Sequence, residues 1–202
     1  MARAKQIEIR LNPLLEKLKR GPQAMLPKDI GIILAFTGVG KESVVLDAGT
    51  GSGFLAISLA NICKKVVTYE WREEWADLAR KNIARSGFSN VELKNKDVFQ
   101  GIEERELDAV CLDLAETEKA VPHATAALKK GGFIVSFNPH AEQVTAFAKA
   151  VRATGEFEEP FTFECAVREM LVREAGFRPE TKGLTHTGYL SFARKKSGGV
   201  EG

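Results

Sequence analysis

From residue 43 to residue 193, short apolar runs and amphipathic stretches take turns along the chain, and this alternation restricts the fold more than any other feature. Runs of strand character occupy 43–46, 66–69, 91–93, 109–112, 133–137, 160–165 and 189–193. Stretches with apolar residues at helical spacing lie at 54–63, 73–86, 116–128 and 142–154. Strands joined through helices imply right-handed crossovers and a mostly parallel sheet covered on both faces. The last two runs have no clean helical stretch between them, so an antiparallel edge is expected there. The expectation is one α/β domain built on a seven-stranded sheet.

Composition agrees with such a domain. The 202 residues are 44% hydrophobic and 28% charged, a mix that fills a core and keeps a polar surface. It excludes a disordered tail, a collagen-like repeat and a disulfide miniprotein. The longest apolar run, 30–36, is far shorter than the roughly 18 residues of a membrane span. The basic, alternating N-terminus lacks a signal-peptide apolar stretch. Cys63, Cys111 and Cys165 are odd in number and show no CxxC spacing, so neither a disulfide framework nor a metal site is expected. A reducing cytoplasm suits them, as inert apolar residues. The net charge of +2 is too small to argue for nucleic acid by itself. Lys and Arg gather in the first 30 residues and again at Arg194, Lys195 and Lys196, either as solvated ends or as phosphate contacts. Residues 6–11 alternate like a strand and 14–18 have helical spacing. Gly21-Pro22 breaks the chain, and Pro27 opens a helix with Asp29 favourably placed in its first turn. The expected organisation is a basic extension over 1–20, one domain over 21–196 and a frayed tail over 197–202.

The first strand leads straight into Ala48-Gly49-Thr50-Gly51-Ser52-Gly53 and then a helix. In an open α/β sheet, ligands sit beyond the carboxyl ends of the strands, where the strand order reverses. Glycines there let the backbone approach a ligand closely. A dinucleotide fingerprint needs G-x-G-x-x-G, but Phe54 stands where its third Gly belongs. The spacing is G-x-G-x-G, with Asp47 two residues before the first Gly. A carboxylate there repels a pyrophosphate and suits a cationic nucleoside without phosphate, such as S-adenosylmethionine. Glu70 ends the second strand, where a carboxylate can accept both ribose hydroxyls, and Trp71 follows it to cover the adenine or ribose. Asp97, after the third strand, is placed to accept from an adenine amino group, with Val98 against the ring. Taken alone, Gly49, Gly51 and Gly53 mean only a tight strand–helix turn. Asp113, at the exit of the fourth strand, is the carboxylate best placed for chemistry, unless it merely caps the next helix.

The set of Asp47, the glycine loop, Glu70 and Asp97 resembles the class I, Rossmann-like methyltransferases. That resemblance implies a mostly parallel seven-stranded sheet with an antiparallel edge and helices on both faces. Arg20-Gly21-Pro22-Gln23, followed by Pro27-Lys28-Asp29, resembles the lead-in of the tRNA adenine-58 N1-methyltransferase family. Phe177-Arg178-Pro179, His186-Thr187-Gly188-Tyr189-Leu190 and Ala193-Arg194-Lys195 resemble its ending, and 111–116 its fourth-strand motif. The similarity spans about residues 20–195. It implies methyl transfer from S-adenosylmethionine to N1 of an adenine in tRNA, with Gln23 shaping the methionine end of the cofactor pocket and Asp113 contacting the target adenine beside the cofactor. It also implies a homo-oligomer, with a tetramer usual in the family. Three features depart from the family pattern. Only about 20 residues precede the shared region, where members carry a small β-rich domain. Leu26 stands for His or Tyr, and Thr117-Glu118 for Pro-Trp. Two other readings remain open at this stage, a methyltransferase of similar fold acting on a corrin-ring precursor and a non-catalytic cofactor-binding subunit. His186 is either near the active site or a locally packed loop residue. His123 reads as a surface residue, Trp75 as helix packing and Asn138-Pro139-His140 as a turn. Arg168, Arg173 and Arg178 are either phosphate contacts or a solvated face.

Overall fold

The computed structural model of the chain describes residues 10–21, 23–181, 183 and 186–198. A four-residue helix, α1 (Pro13–Glu16), starts where Asn12 accepts from the backbone N–H groups of Leu14 and Leu15. Pro27 opens α2 (Pro27–Thr37), which ends at Gly38 in the left-handed conformation. Then come β1 (Val44–Ala48), α3 (Phe54–Ala60), β2 (Lys65–Tyr69), α4 (Glu73–Ser86) and β3 (Val91–Lys94). A short 3-10 turn at Val98–Gln100 precedes β4 (Leu107–Leu112), α5 (Thr117–Ala127), β5 (Leu128–Asn138) and α6 (Ala141–Thr154). The chain closes with β6 (Phe161–Glu164), β7 (Met170–Arg173), β8 (Gly176–Pro179) and β9 (Tyr189–Arg194).

Seven strands form one sheet in the order β3-β2-β1-β4-β5-β9-β6. Pairing is parallel from β3 through β5, and β9 runs antiparallel to both β5 and β6. The expected antiparallel edge is present, with the last strand lying inside it. Side chains alternate across the sheet and split the core in two. Val45, Val66, Ala109 and Phe192 pack with α1, α2 and α3, whereas Leu46, Val67, Val110 and Ala193 pack with α5 and α6. Leu15 and Leu18 are buried in the first of these layers, so the chain before Gly21 contributes to the core.

Two features differ from the sequence expectation. β7 and β8 form a separate two-stranded hairpin that no apolar run announced, because its side chains are mostly exposed and the period-2 signal depends on one buried face. The strand-like alternation over 6–11 falls largely outside the described residues, and Arg10 and Leu11 lie in no strand. Strand order reverses between β1 and β4, and the carboxyl ends of those two strands carry Asp47 and Asp113.

Candidate active site

The glycine loop takes its shape from two backbone approaches. Gly49 and Thr50 donate their N–H groups to the carbonyl of Tyr69 at the end of β2, at 3.0 and 3.2 Å. On the other side Asp113 donates its N–H to the Ala48 carbonyl at 2.8 Å, and its own carbonyl crosses over Gly49. A Cβ on Gly49 would lie 2.0 Å from that carbonyl oxygen, and φ there is +85°. Glycine is therefore required, and the contact brings the exits of β1 and β4 together. Gly51 and Gly53 also have positive φ, but a Cβ on Gly51 would meet nothing closer than 3.9 Å, so this glycine faces open space.

Asp47 lies within β1 and is buried. Its Oδ2 accepts from the Thr68 hydroxyl at 2.8 Å, and Thr68 is itself 2.6 Å from the Thr50 hydroxyl. Among the described residues its Oδ1 is buried without a partner, as is the Ser52 hydroxyl in the glycine loop. Burial pushes the Asp47 carboxyl up to about 7, the Thr68 bond opposes that rise, and the neighbouring Glu70 charge adds to it. A buried acceptor left over beside an open glycine suits a ligand that brings a donor and a positive charge. That is the chemistry expected of the amino acid end of S-adenosylmethionine.

Glu70 is buried at the end of β2 and already holds protein donors. One carboxylate oxygen accepts from the Gly51 N–H at 3.0 Å, and the other from the Arg72 N–H at 3.1 Å and its guanidinium Nε at 3.3 Å. The side chain thus fixes the middle of the glycine loop, and a carboxylate has lone pairs left for hydroxyl donors. Asp97 caps the 3-10 turn by accepting from the Phe99 N–H at 2.9 Å, and Val98 beside it is buried. Trp71 is 68% exposed and free to serve as a platform. Gln23 is exposed in the turn before α2, and Gly21, two residues earlier, packs against Ser52 and Trp75. The lead-in therefore lies on the glycine loop, with Trp75 in the packing role expected of it.

Asp113 stands one residue beyond β4 and is half-buried. Its carboxylate makes no hydrogen bond to any described residue, and α5 has Glu116 at its cap position without a side-chain cap bond. Asp113 therefore does not cap the helix. The protein packed around the carboxyl group, and then the charges of Asp47 and Asp29, push it up to about 8. Two carboxyl groups, Asp47 and Asp113, thus lie where strand order reverses, and both are held well above their ordinary range. Such displacement is common at functional sites.

Sequence reasoning missed the residues that hold this arrangement together. Asn82, fully buried in α4, accepts from the Lys19 N–H at 2.9 Å and donates to the carbonyls of Lys19 and Ser52, both at 2.8 Å. A poor helix former within a helix was its one available signal. Asp29 is fully buried, so its first-turn position is more than a dipole contact. It accepts from the Lys28 ammonium at 2.7 Å and the Thr187 hydroxyl at 3.0 Å, and Lys28 also donates to the Cys165 carbonyl at 2.6 Å. His186 bridges the Glu164 carboxylate at 2.6 Å and the Pro139 carbonyl at 3.1 Å, which raises its pKa through bonds that favour the charged ring. His123 is half-buried rather than a surface residue, because α5 packs it against the Phe99 carbonyl at 3.1 Å. Cys63 and Cys111 are buried and Cys165 half-buried, and burial pushes the first two thiols up.

Comparison with known proteins puts this site in context. Residues 15–178 match the family described as the tRNA methyltransferase complex GCD14 subunit. The chain is 35% identical to a tRNA (adenine(57)-N(1)/adenine(58)-N(1))-methyltransferase, TrmI, of Methanocaldococcus jannaschii, over 93% of this chain and 77% of the relative. The structure of the tRNA (m1A58) methyltransferase TrmI from Aquifex aeolicus matches with a TM-score of 0.84 and 30% identity, covering 91% of this chain and 74% of that one. A SAM-dependent O-methyltransferase from Thermotoga maritima superposes with a TM-score of 0.85 and 30% identity, over 93% and 71% of the two chains.

Proposed function

Because the chain belongs to the tRNA methyltransferase complex GCD14 subunit family, we propose that it methylates N1 of an adenine in tRNA, with S-adenosylmethionine as the methyl donor. The observation that carries this reading is the close approach of the Asp113 backbone to Gly49, which brings a residue whose carboxylate has no hydrogen bond among the described residues to the glycine loop. Asp47, Glu70, Asp97 and Val98 hold the cofactor, with Gly49, Gly51 and Gly53 as its floor and Gln23 and Trp71 at its rim. When bound, S-adenosylmethionine supplies an electrophilic methyl group. In its ionised form, which nearby positive charge favours, Asp113 accepts a hydrogen bond from the exocyclic amino group of the adenine, which orients N1 and stabilises the positive charge growing on the ring. Adenine N1 carries a free in-plane lone pair once unpaired, so no strong base is required. The target base leaves its folded loop to enter the site, at a cost of a few kcal/mol.

A homo-oligomer completes this proposal. Edge strand β6 leaves Phe161 and Phe163 partly exposed beside Phe36, a surface that a second copy can cover. Among the described residues no helix is long and apolar enough to cross a membrane, and the cytoplasm, where tRNA works, is the proposed compartment.

The test is incubation with radiolabelled S-adenosylmethionine and an unmodified tRNA transcript, followed by digestion and identification of the labelled nucleoside. Labelled 1-methyladenosine is the expected product. Cofactor binding without label in RNA would sink the tRNA reading and direct the search to small acceptors. Asp113→Ala is expected to lower turnover roughly 100-fold while leaving cofactor affinity within about threefold. A large loss of cofactor affinity would move Asp113 into the cofactor site instead.

A further inference from the structure

The loop that carries Asp113 is fastened at both ends. At its start the Asp113 backbone is pinned to Ala48 and Gly49. At its end Glu116 takes a left-handed conformation, φ 58° and ψ 41°, which is costly for a residue with a Cβ and persists only where the surroundings enforce it. The usual device at a helix start is missing, because Glu116 provides no side-chain cap for α5. What fixes the helix start is the next residue. Thr117 is fully buried, and its hydroxyl donates to Asn138 Oδ1 at 3.2 Å and accepts from the Ser136 hydroxyl at 3.3 Å. Asn138 Nδ2 donates to Ser136 Oγ and closes a triangle of three buried side chains at the end of β5. Burying three polar groups is costly unless each is satisfied, and here each satisfies the others.

We propose that Thr117 is a positioning residue for methyl transfer. Its hydroxyl locks the start of α5 to the end of β5, enforces the bend at Glu116 and so fixes Asp113, whose backbone lies against the glycine loop, in place. This inference rests on the assignment of Asp113 to the acceptor.

The test compares Thr117→Val, which keeps the shape and removes the hydroxyl, with Thr117→Ser, which keeps the hydroxyl, each in the full chain. Three quantities are read: turnover on unmodified tRNA transcript, affinity for S-adenosylhomocysteine, and amide hydrogen exchange over 113–116. Thr117→Val is expected to lower kcat about tenfold, as displacement of a reacting group does. Cofactor affinity should stay within about twofold, and exchange should speed up in the loop but not in β1. Thr117→Ser is expected to recover kcat to within about threefold of the parent. Unchanged loop exchange in Thr117→Val, or a Ser variant as slow as the Val variant, would overturn the proposal. Should Thr117→Val fail to fold, Asn138→Ala removes the acceptor of the Thr117 hydroxyl, and unchanged exchange and kcat there would overturn the proposal equally. A parent protein inactive on tRNA would defeat the acceptor assignment alone, because hydrogen exchange still decides whether Thr117 holds the loop.

Discussion

The sheet ends differently on its two sides. Around the exits of β1, β2 and β4, backbone runs against backbone and carboxylates are buried, and the two buried side-chain atoms without a partner among the described residues belong to Asp47 and Ser52 there. On the β6 edge Phe161 and Phe163 stay partly in solvent over the buried β9 strand, and in the β7–β8 hairpin Val172 and Phe177 are largely exposed. The first region has almost no freedom to change shape, whereas the second tolerates change and offers surface to a partner. Glycines expose the contrast directly. Gly49→Ala would drive a Cβ to 2.0 Å from the Asp113 carbonyl at a positive φ, and a loss of roughly 3 kcal/mol or more is expected. Gly176, the first residue of β8 after the hairpin turn, also has a positive φ, 137°, but a Cβ there meets nothing within 4 Å. Gly176→Ala should cost only about 1 kcal/mol of backbone strain. Chemical denaturation of both variants measures the difference, and equal losses would show that close approach is not what distinguishes the two regions.

One network spans both regions. Lys28 and Asp29 sit at the start of α2, Cys165 just after β6 and Thr187 just before β9, all joined by hydrogen bonds. Lys28→Met leaves Asp29 buried without its cation, and about 3 kcal/mol of stability should be lost. Pairing it with Asp29→Asn removes the charge that lacks a partner, so the double variant should recover much of that loss. A double variant no better than the single would mean that Lys28 acts by holding Cys165 and Thr187, and not by neutralising Asp29.

The two regions were also unequally legible in the sequence. Asp47, the glycine spacing, Glu70, Asp97 and Asp113 all announce themselves locally, as a residue type at a strand end, and each lies where the strand alternation places it. The residues that fasten the site work across the chain. Asn82 reaches residues 63 and 30 positions away, and Thr117 reaches the end of the next strand. Such contacts leave no periodicity, so Thr117 stood out only as a departure from a family pattern. The hairpin stayed hidden for the opposite reason. Val172 and Phe177 face solvent, and without a buried face there is no alternation to read.

Titration separates the regions by a smaller effect. Asp47 and Asp113 are raised to about 7 and about 8 in the folded chain, whereas an unfolded Asp titrates near 3.9. The folded state therefore keeps two protons that the unfolded chain has released. Their contribution is complete below about pH 4 and is lost as pH rises to about 8, so ligand-free stability should fall over that interval, with Asp113, which solvent reaches, contributing less than Asp47. His186 is raised as well and adds a loss of the same sign, so Asp47→Asn is the discriminating variant. Thermal denaturation of that variant between pH 5 and 8 should show a flatter profile than the parent. A cationic ligand selects ionised Asp47, so stabilisation by S-adenosylmethionine should grow with pH in the parent and not in the variant. Parallel profiles would place the titrating group elsewhere.

The smallest effect is expected at the hairpin, and its size carries information. Val172 and Phe177 face each other across β7 and β8, 79% and 66% exposed. In an isolated chain the pair is worth about 0.5 kcal/mol, so Phe177→Ser should barely alter the denaturation midpoint at low protein concentration. The same replacement at Phe192, buried beneath the β6 edge, empties a core position and should cost several times more. If a second copy covers the hairpin, however, the effect of Phe177→Ser will grow with protein concentration, because only the associated form loses the contact. Sedimentation and denaturation at two concentrations distinguish the cases. A concentration-independent effect as large as that at Phe192 would mean that the hairpin packs as core, and the contrast between the two sides of the sheet would fail there.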